Sequence, residues 1–297
     1  MRPQDAPSAA PLSVLLAVGV LVAGMVSIQT GAALAKQLFP VVGAQGAVAL
    51  RVAIAAMVLL ALQRPWRGPL DRRHIRAVLL YGAALGAMNL LFYMSLKTVP
   101  LGVAVAIEFT GPLTVAVIAS RRALDLAWVA LAAAGLVLLA APLGGAAIAA
   151  DPLGALFALG AGIFWGLYIV LGKRAGEIGV GRAAALGMAV AALVATPFGI
   201  AHAGAALFAP ALLPLAVAVA LLSSAIPYSL EMFALVRLPS RTFGVLMSLE
   251  PVIATLSGLL MLGERLSPVQ TAAIGCIVVA SFGSVTALRA REVVPLP

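Results

Sequence analysis

The stretch AIEFTGPLTVAV, Ala106 to Val117, lies inside a long apolar run yet carries a carboxylate at Glu108 and a Gly111-Pro112 step. Inside a helix, proline withholds an amide donor and leaves the carbonyl one turn earlier without its partner; here that carbonyl is close to Glu108. In lipid, broken backbone is tolerated only where protein or a water-filled cavity satisfies it. A charge at the centre of a spanning helix costs about 3 kcal/mol even on a lenient insertion scale. The stretch is therefore either a kink whose glutamate bonds a neighbouring helix or part of a functional site, and the rest of the chain has to decide between them.

Composition sets the class. Soluble domains average roughly 45–50% apolar and about 25% charged residues, whereas this chain is 63% apolar and 10% charged, so most of its length has no aqueous face. The net charge of +9 is spread through short segments between apolar runs. That is the pattern of membrane orientation rather than of nucleic-acid binding. The single cysteine, Cys276, excludes an internal disulfide.

Measured against the ~20 apolar residues a spanning helix needs, the chain offers ten spans, at approximately 12–35, 44–62, 77–96, 101–119, 126–142, 152–171, 183–201, 211–234, 243–262 and 268–288. The first has some features of a cleaved signal, with Arg2 before an apolar core and Ala33-Leu34-Ala35 at its end, but a matching helix recurs later, which argues for a span. With the N-terminus inside, fifteen Lys and Arg fall in cytoplasmic segments and only Lys36, Lys97 and Arg265 outside. The positive-inside rule then puts both termini in the cytoplasm.

Repeats change the reading of the opening stretch. Val99–Asp125 lies over Leu238–Glu264 at a constant offset of 139, so that Pro112 meets Pro251 and Asp125 meets Glu264. At an offset of 138, Gly24 meets Gly162 and Lys36 meets Arg174, pairing the first span with the sixth. Two five-helix halves are implied, 12–142 and 152–288, with 1–11 and 289–297 as cytoplasmic tails. Five is odd, so the second half enters the membrane from the opposite side. Inverted repeats with broken helices near the midplane are a recurring transporter architecture. The helix breaks expected at Gly111, Pro112 and Pro251 each have a glutamate close by, Glu108 in one half and Glu250 in the other.

The residues that carry a resemblance are EFTGPLTVAVIASRR (Glu108–Arg122), IPYSLEMFALVRLPSRTFGVLMSLEP (Ile226–Pro251) and LGERLSP (Leu262–Pro268). They resemble the threonine and homoserine exporters of the drug/metabolite transporter superfamily, whose two EamA-type repeats have five helices each. The resemblance runs from about Leu12 to Arg289. It implies an all-α polytopic fold of ten helices around a central cavity, in a bacterial cytoplasmic membrane, exporting small amino acids. Related members move aromatic amino acids, purines or sugars, and the spacing does not choose among these.

The polar residues within the spans describe the cavity. Arg51, Glu108, Glu231 and Glu250 are ionisable, and Gln29, Asn89, Tyr93 and Tyr228 stand among several serines and threonines. A guanidinium and carboxylates suit a zwitterion. For Gln29 and Asn89 an interhelical hydrogen bond that only packs helices is as good a reading as substrate contact. Arg51 and Glu108 lie at similar depth, so they are expected either to pair, the favoured role for Arg51, or to hold the two ends of a zwitterion. Trp165 reads as core rather than cavity wall, and Gly82–Gly86 as a close helix–helix contact. His74 and His202 read as solvated loop residues.

The chain has no HExxH, no Gly-rich phosphate loop and no Cys/His cluster with ligand spacing, so enzyme chemistry, a metal and a cofactor are not expected. Without a nucleotide motif, a proton gradient is the natural driving force, with antiport through one of the glutamates. The sequence leaves the oligomeric state open.

Overall fold

The structure, a computed structural model, describes residues 11–67, 71–99, 101–120, 123–140, 151–262, 267–269, 272–273, 275–280 and 283. Among these residues there are helices and turns and no strand. The first half holds α1 (Pro11–Ala35), α2 (Phe39–Gln63), α3 (Arg72–Ser95), α4 (Leu101–Glu108), α5 (Thr110–Ala119) and α6 (Ala123–Ala140). The second holds α7 (Pro152–Ala175), α8 (Val180–Ala203), α9 (Leu213–Ala220), α10 (Ile226–Arg237), α11 (Ser240–Met247) and α12 (Leu249–Leu262). Of the expected tenth span, 268–288, most of the C-terminal part lies outside the described residues, as do the tails 1–10 and 289–297; 275–280 is helical.

Helix is the only spanning conformation that satisfies every backbone group within one segment. Among the described residues five helical stretches are long and apolar enough to cross a membrane, one of which, Leu15–Gln63, takes in most of α1 and all of α2. Leu62, Ile118, Leu193 and Leu260 point outward with 72%, 78%, 76% and 82% of their surface exposed. Large apolar side chains laid open in this way have lipid, not water, as their solvent. Helix starts outside the spans use carboxylate caps. Asp71 accepts from the His74 amide at 2.8 Å, which holds its carboxyl below the usual range. Asp151 caps α7 and accepts from Thr98 Oγ1 at 2.9 Å, and that hydrogen bond is the main reason its carboxyl is also lowered.

The interior is rich in alanine and glycine, as expected where helices associate by close packing rather than by a hydrophobic drive. α2 runs along α8, α3 along α7 and α8, α1 along α10 and α12, and α5 along α7 and α11. A Cβ on Gly82 would come within 2.5 Å of Val190 Cβ, and one on Gly86 within 2.8 Å of Val194 Cβ. The glycine pair therefore brings α3 against α8. Gly43 interrupts the start of α2 with φ 67°, and the His202 ring occupies the place its side chain would need. The regular part of α2 thus begins at Ala44, the expected start of the second span. His202, expected in a loop, lies in the last turn of α8, where its ring packs on Gly43 and stays exposed to solvent as expected.

Two expected spans are broken. The fourth divides at Phe109, between α4 and α5, and the ninth at Ser248, between α11 and α12. These positions differ by 139. The interruptions fall three residues before the prolines rather than at Gly111, Pro112 and Pro251, which sit in the first turns of α5 and α12. The cause is the missing proline N–H, which leaves the Glu108 and Met247 carbonyls unbonded and loosens the turn just after them.

Candidate functional site

A cavity lies where both halves meet. Ile28, Gln29 and Ala32 of α1, Arg51 of α2, Met88, Asn89 and Phe92 of α3, and Val105 and Glu108 of α4 line one side. Trp165 of α7, Tyr228 and Glu231 of α10, and Glu250 of α12 line the other. The free space is about 30 Å³, enough for about two waters and too small for an amino acid in this conformation.

The break in the fourth span delivers Glu108. Its segment lies directly on α7: a Cβ on Gly111 would stand 1.8 Å from the Gly162 carbonyl oxygen, and one on Gly162 would stand 2.5 Å from the Glu108 carbonyl oxygen. Only paired glycines allow that approach. Phe109 closes the contact, meeting Trp165 edge to face at 6.0 Å. Glu108 is 5% exposed, and among the described residues its carboxylate makes no hydrogen bond and no ion pair with Arg51. The structural Arg51–Glu108 pair expected from their depth is thus not formed, although both line the one cavity.

Arg51 is held by a different device. Between α9 and α10 the helix widens into a π-turn at Leu221–Ala225, where the Ile226 amide returns to the Leu221 carbonyl. Pro227 follows and has no N–H to give, so the carbonyls of this turn are short of donors. Two of them take side chains instead. Ser27 Oγ donates to Leu222 O at 2.6 Å, and Arg51 Nη1 donates to Ser223 O at 3.1 Å. Gly31 makes room, since a Cβ there would lie 2.6 Å from the Ser223 backbone nitrogen. The guanidinium sits 4.6 Å from the centre of the Tyr93 ring, a cation–π contact. Tyr93 stands behind Arg51 rather than on the cavity wall.

The remaining polar groups form three links. Gln29 Nε2 donates to Glu250 Oε1 at 3.1 Å. Tyr228 OH donates to Asn89 Oδ1 at 2.9 Å, while Asn89 Nδ2 donates to Leu85 O at 2.7 Å. Tyr168 OH donates to Glu231 Oε2 at 3.0 Å. Asn89 and Gln29 thus each bond across helices and also line the cavity.

The structure brings together seven of the residues expected from the sequence: Gln29, Arg51, Asn89, Glu108, Tyr228, Glu231 and Glu250. Trp165, read as core, is both buried and part of the wall. Tyr168, the partner of Glu231, was missed. It lies three residues beyond Trp165 and so on the same helix face, a signal available in the sequence. The π-turn had only Pro227 and two serines to announce it. Among the described residues no three His, Cys, Asp or Glu side chains converge as a metal site would require.

The chain has close relatives in sequence. The chain is 50% identical over 278 residues to the threonine/homoserine exporter RhtA of Escherichia coli strain K12, with 94% of each chain covered. The threonine/homoserine exporter RhtA of Salmonella typhimurium strain LT2 gives the same identity and coverage. The family model described as EamA-like transporter family matches residues 152–286. A crystal structure of a protein 23% identical in sequence superposes with a TM-score of 0.67, covering 93% of this chain and 99% of that one, a likeness of fold alone. With half its residues identical to those exporters along nearly its whole length, the chain belongs to the EamA-like transporter family.

Proposed function

We propose that this protein exports small amino acids such as threonine and homoserine across a bacterial cytoplasmic membrane, as a secondary carrier and not an enzyme. The observation that carries the reading is the 50% identity, over 94% of both chains, to relatives named for that activity. The cavity supports it chemically. It offers a guanidinium, three carboxylates, an amide pair and a tyrosine hydroxyl, groups suited to a zwitterion with a short side chain.

The proposed architecture is ten spans in two inverted five-helix repeats, 12–142 and 152–288, with both termini cytoplasmic. Helix contacts support the repeats. Exchanging the halves turns the α1–α10 contact into the α7–α3 contact, the α1–α12 contact into the α7–α5 contact and the α5–α11 contact into the α12–α4 contact, while α2–α8 maps onto itself. Asn89 and Tyr228, 139 residues apart, bond to each other, as repeat mates do at a two-fold axis. Loop contacts support the sidedness. Thr98 and Asp151 meet at one end. Arg182 with Pro65, Lys173 with Leu238, and His74 with Glu177 meet at the other, and each contact joins loops assigned to the same face. Proton antiport fits a cavity lined with carboxylates, with Glu108 as the carrier because no protein group ties it down.

The test is growth. Cells overproducing the protein should tolerate excess external threonine or homoserine and hold less of either inside. Resistance confined to aromatic amino acids or purine analogues would overturn the substrate class.

A further inference from the structure

Two groups on the cavity wall keep bonding capacity that no residue uses, and they are of opposite kinds. Arg51 is 2% exposed and spends Nη1 on Ser223 O, but Nε and Nη2 have no partner. In a guanidinium those two nitrogens form one edge of the planar fork, and their N–H bonds match the two oxygens of a carboxylate. On the acceptor side, the bond from Gln29 to Glu250 uses one end of each group. It leaves Gln29 Oε1 and Glu250 Oε2 without donors, in side chains only 3% and 4% exposed.

Buried polar atoms in native proteins are nearly always paired, so an empty donor edge and two empty acceptors in one cavity call for a ligand that supplies both complements. Glu108 is not the missing partner of Arg51, as the two form no ion pair. The fork is also prepared in advance. The Ser223 carbonyl fixes its rotation, and the Tyr93 ring supports one face.

We infer that the Nε–Nη2 edge of Arg51 receives the α-carboxylate of the substrate and that Gln29 Oε1 with Glu250 Oε2 receives its α-ammonium. The assignment rests on the export reading and sharpens it: the cavity takes free α-amino acids and rejects forms whose carboxylate is masked as an amide or ester. A site built to bond a polar group discriminates strongly against an analogue that lacks it, because its own buried groups are left unpaired. The side chain of the substrate, by contrast, meets Ile28, Met88, Val105 and Trp165.

The test uses the full-length protein in proteoliposomes and in detergent, with threonine, threoninamide (no carboxylate) and 3-hydroxybutyrate (no ammonium). Wild-type protein should show threonine counterflow that threonine inhibits at least about 100-fold better than either analogue. Threonine, but neither analogue, should raise its melting temperature. Arg51→Gln should lose threonine counterflow and bind threonine and threoninamide equally poorly. Arg51→Lys, which keeps the charge without the fork, should raise KM at least about tenfold with a smaller change in kcat. Glu250→Gln should lower the preference for threonine over 3-hydroxybutyrate. Equal inhibition of the wild type by threoninamide, or an Arg51→Lys variant with unchanged KM and selectivity, would overturn the assignment. Should wild-type protein bind threonine in this carboxylate-dependent way but not move it, the export reading falls and the receptor stands.

Discussion

Glu108 and Glu250 line one cavity but are bonded differently, and the difference separates their roles. Glu108 has no hydrogen-bond partner among the described residues, whereas Glu250 is fixed by Gln29. The Glu→Gln change keeps shape and removes titration. If Glu108 carries the proton, Glu108→Gln should express normally and abolish uphill export while threonine counterflow, which moves no net proton, persists. Glu250→Gln should impair both, because it alters the ammonium receptor. Normal uphill export by both variants, measured in energised vesicles, would leave these carboxylates as packing residues. The identity of the buried charges was readable from their rarity in an apolar chain. Which of them meet was not, since depth along two helices says nothing about the angle at which each side chain faces.

At the scale of elements, the two prolines work upstream of themselves. Pro112 and Pro251 unbond carbonyls at Glu108 and Met247, and the helices divide at Phe109 and Ser248. The halves then diverge: the first seals its break on α7 through Gly111 and Gly162, while the second offers Glu250 to Gln29 on α1. A substitution pair tests the seal. Gly111→Ala would place a methyl 1.8 Å from the Gly162 carbonyl oxygen. It should cost at least about 1–3 kcal/mol and lower both membrane yield and melting temperature. Gly24→Ala alters the repeat mate of Gly162, where the nearest atom would be an ordinary 3.5 Å away, and should be tolerated. Equal behaviour of the two variants in a fluorescence size-exclusion assay would remove the close glycine contact as an explanation. The π-turn lies beyond sequence reading because its cause is split among distant segments: Pro227 withdraws the donor, Gly31 makes the space, and Ser27 and Arg51 bring replacements.

For the whole molecule, the basic residues between spans and the loop contacts point to one sidedness. The test is impermeant maleimide labelling after Cys276→Ser. Lys97→Cys should react in intact cells, and Glu177→Cys only once the membrane is opened. The reverse pattern would invert the proposed orientation while leaving the helix contacts untouched. The proposed inverted-repeat architecture would also account for a cavity too small for the substrate. Helices of both halves meet across it, so opening on either side requires one half to rock against the other, the motion expected of inverted-repeat carriers.

The sequence by itself determined the solvent and the element type, because a chain 63% apolar in lipid can satisfy its backbone only as helices. It determined the positions of the weak turns to within three residues, because proline's missing donor acts at a known distance along the chain. It also supplied the charged and polar members of the cavity lining, because buried charge in lipid is too costly to keep without use. The tertiary structure alone decided the pairing. Arg51 goes to a carbonyl of the π-turn and not to Glu108, Asn89 is consumed by Tyr228, and Glu231 is claimed by Tyr168. Each of these choices depends on the rotation and closeness of helices far apart in the chain, set by glycine contacts and by backbone groups whose regular partners are missing, and no spacing within one segment encodes them.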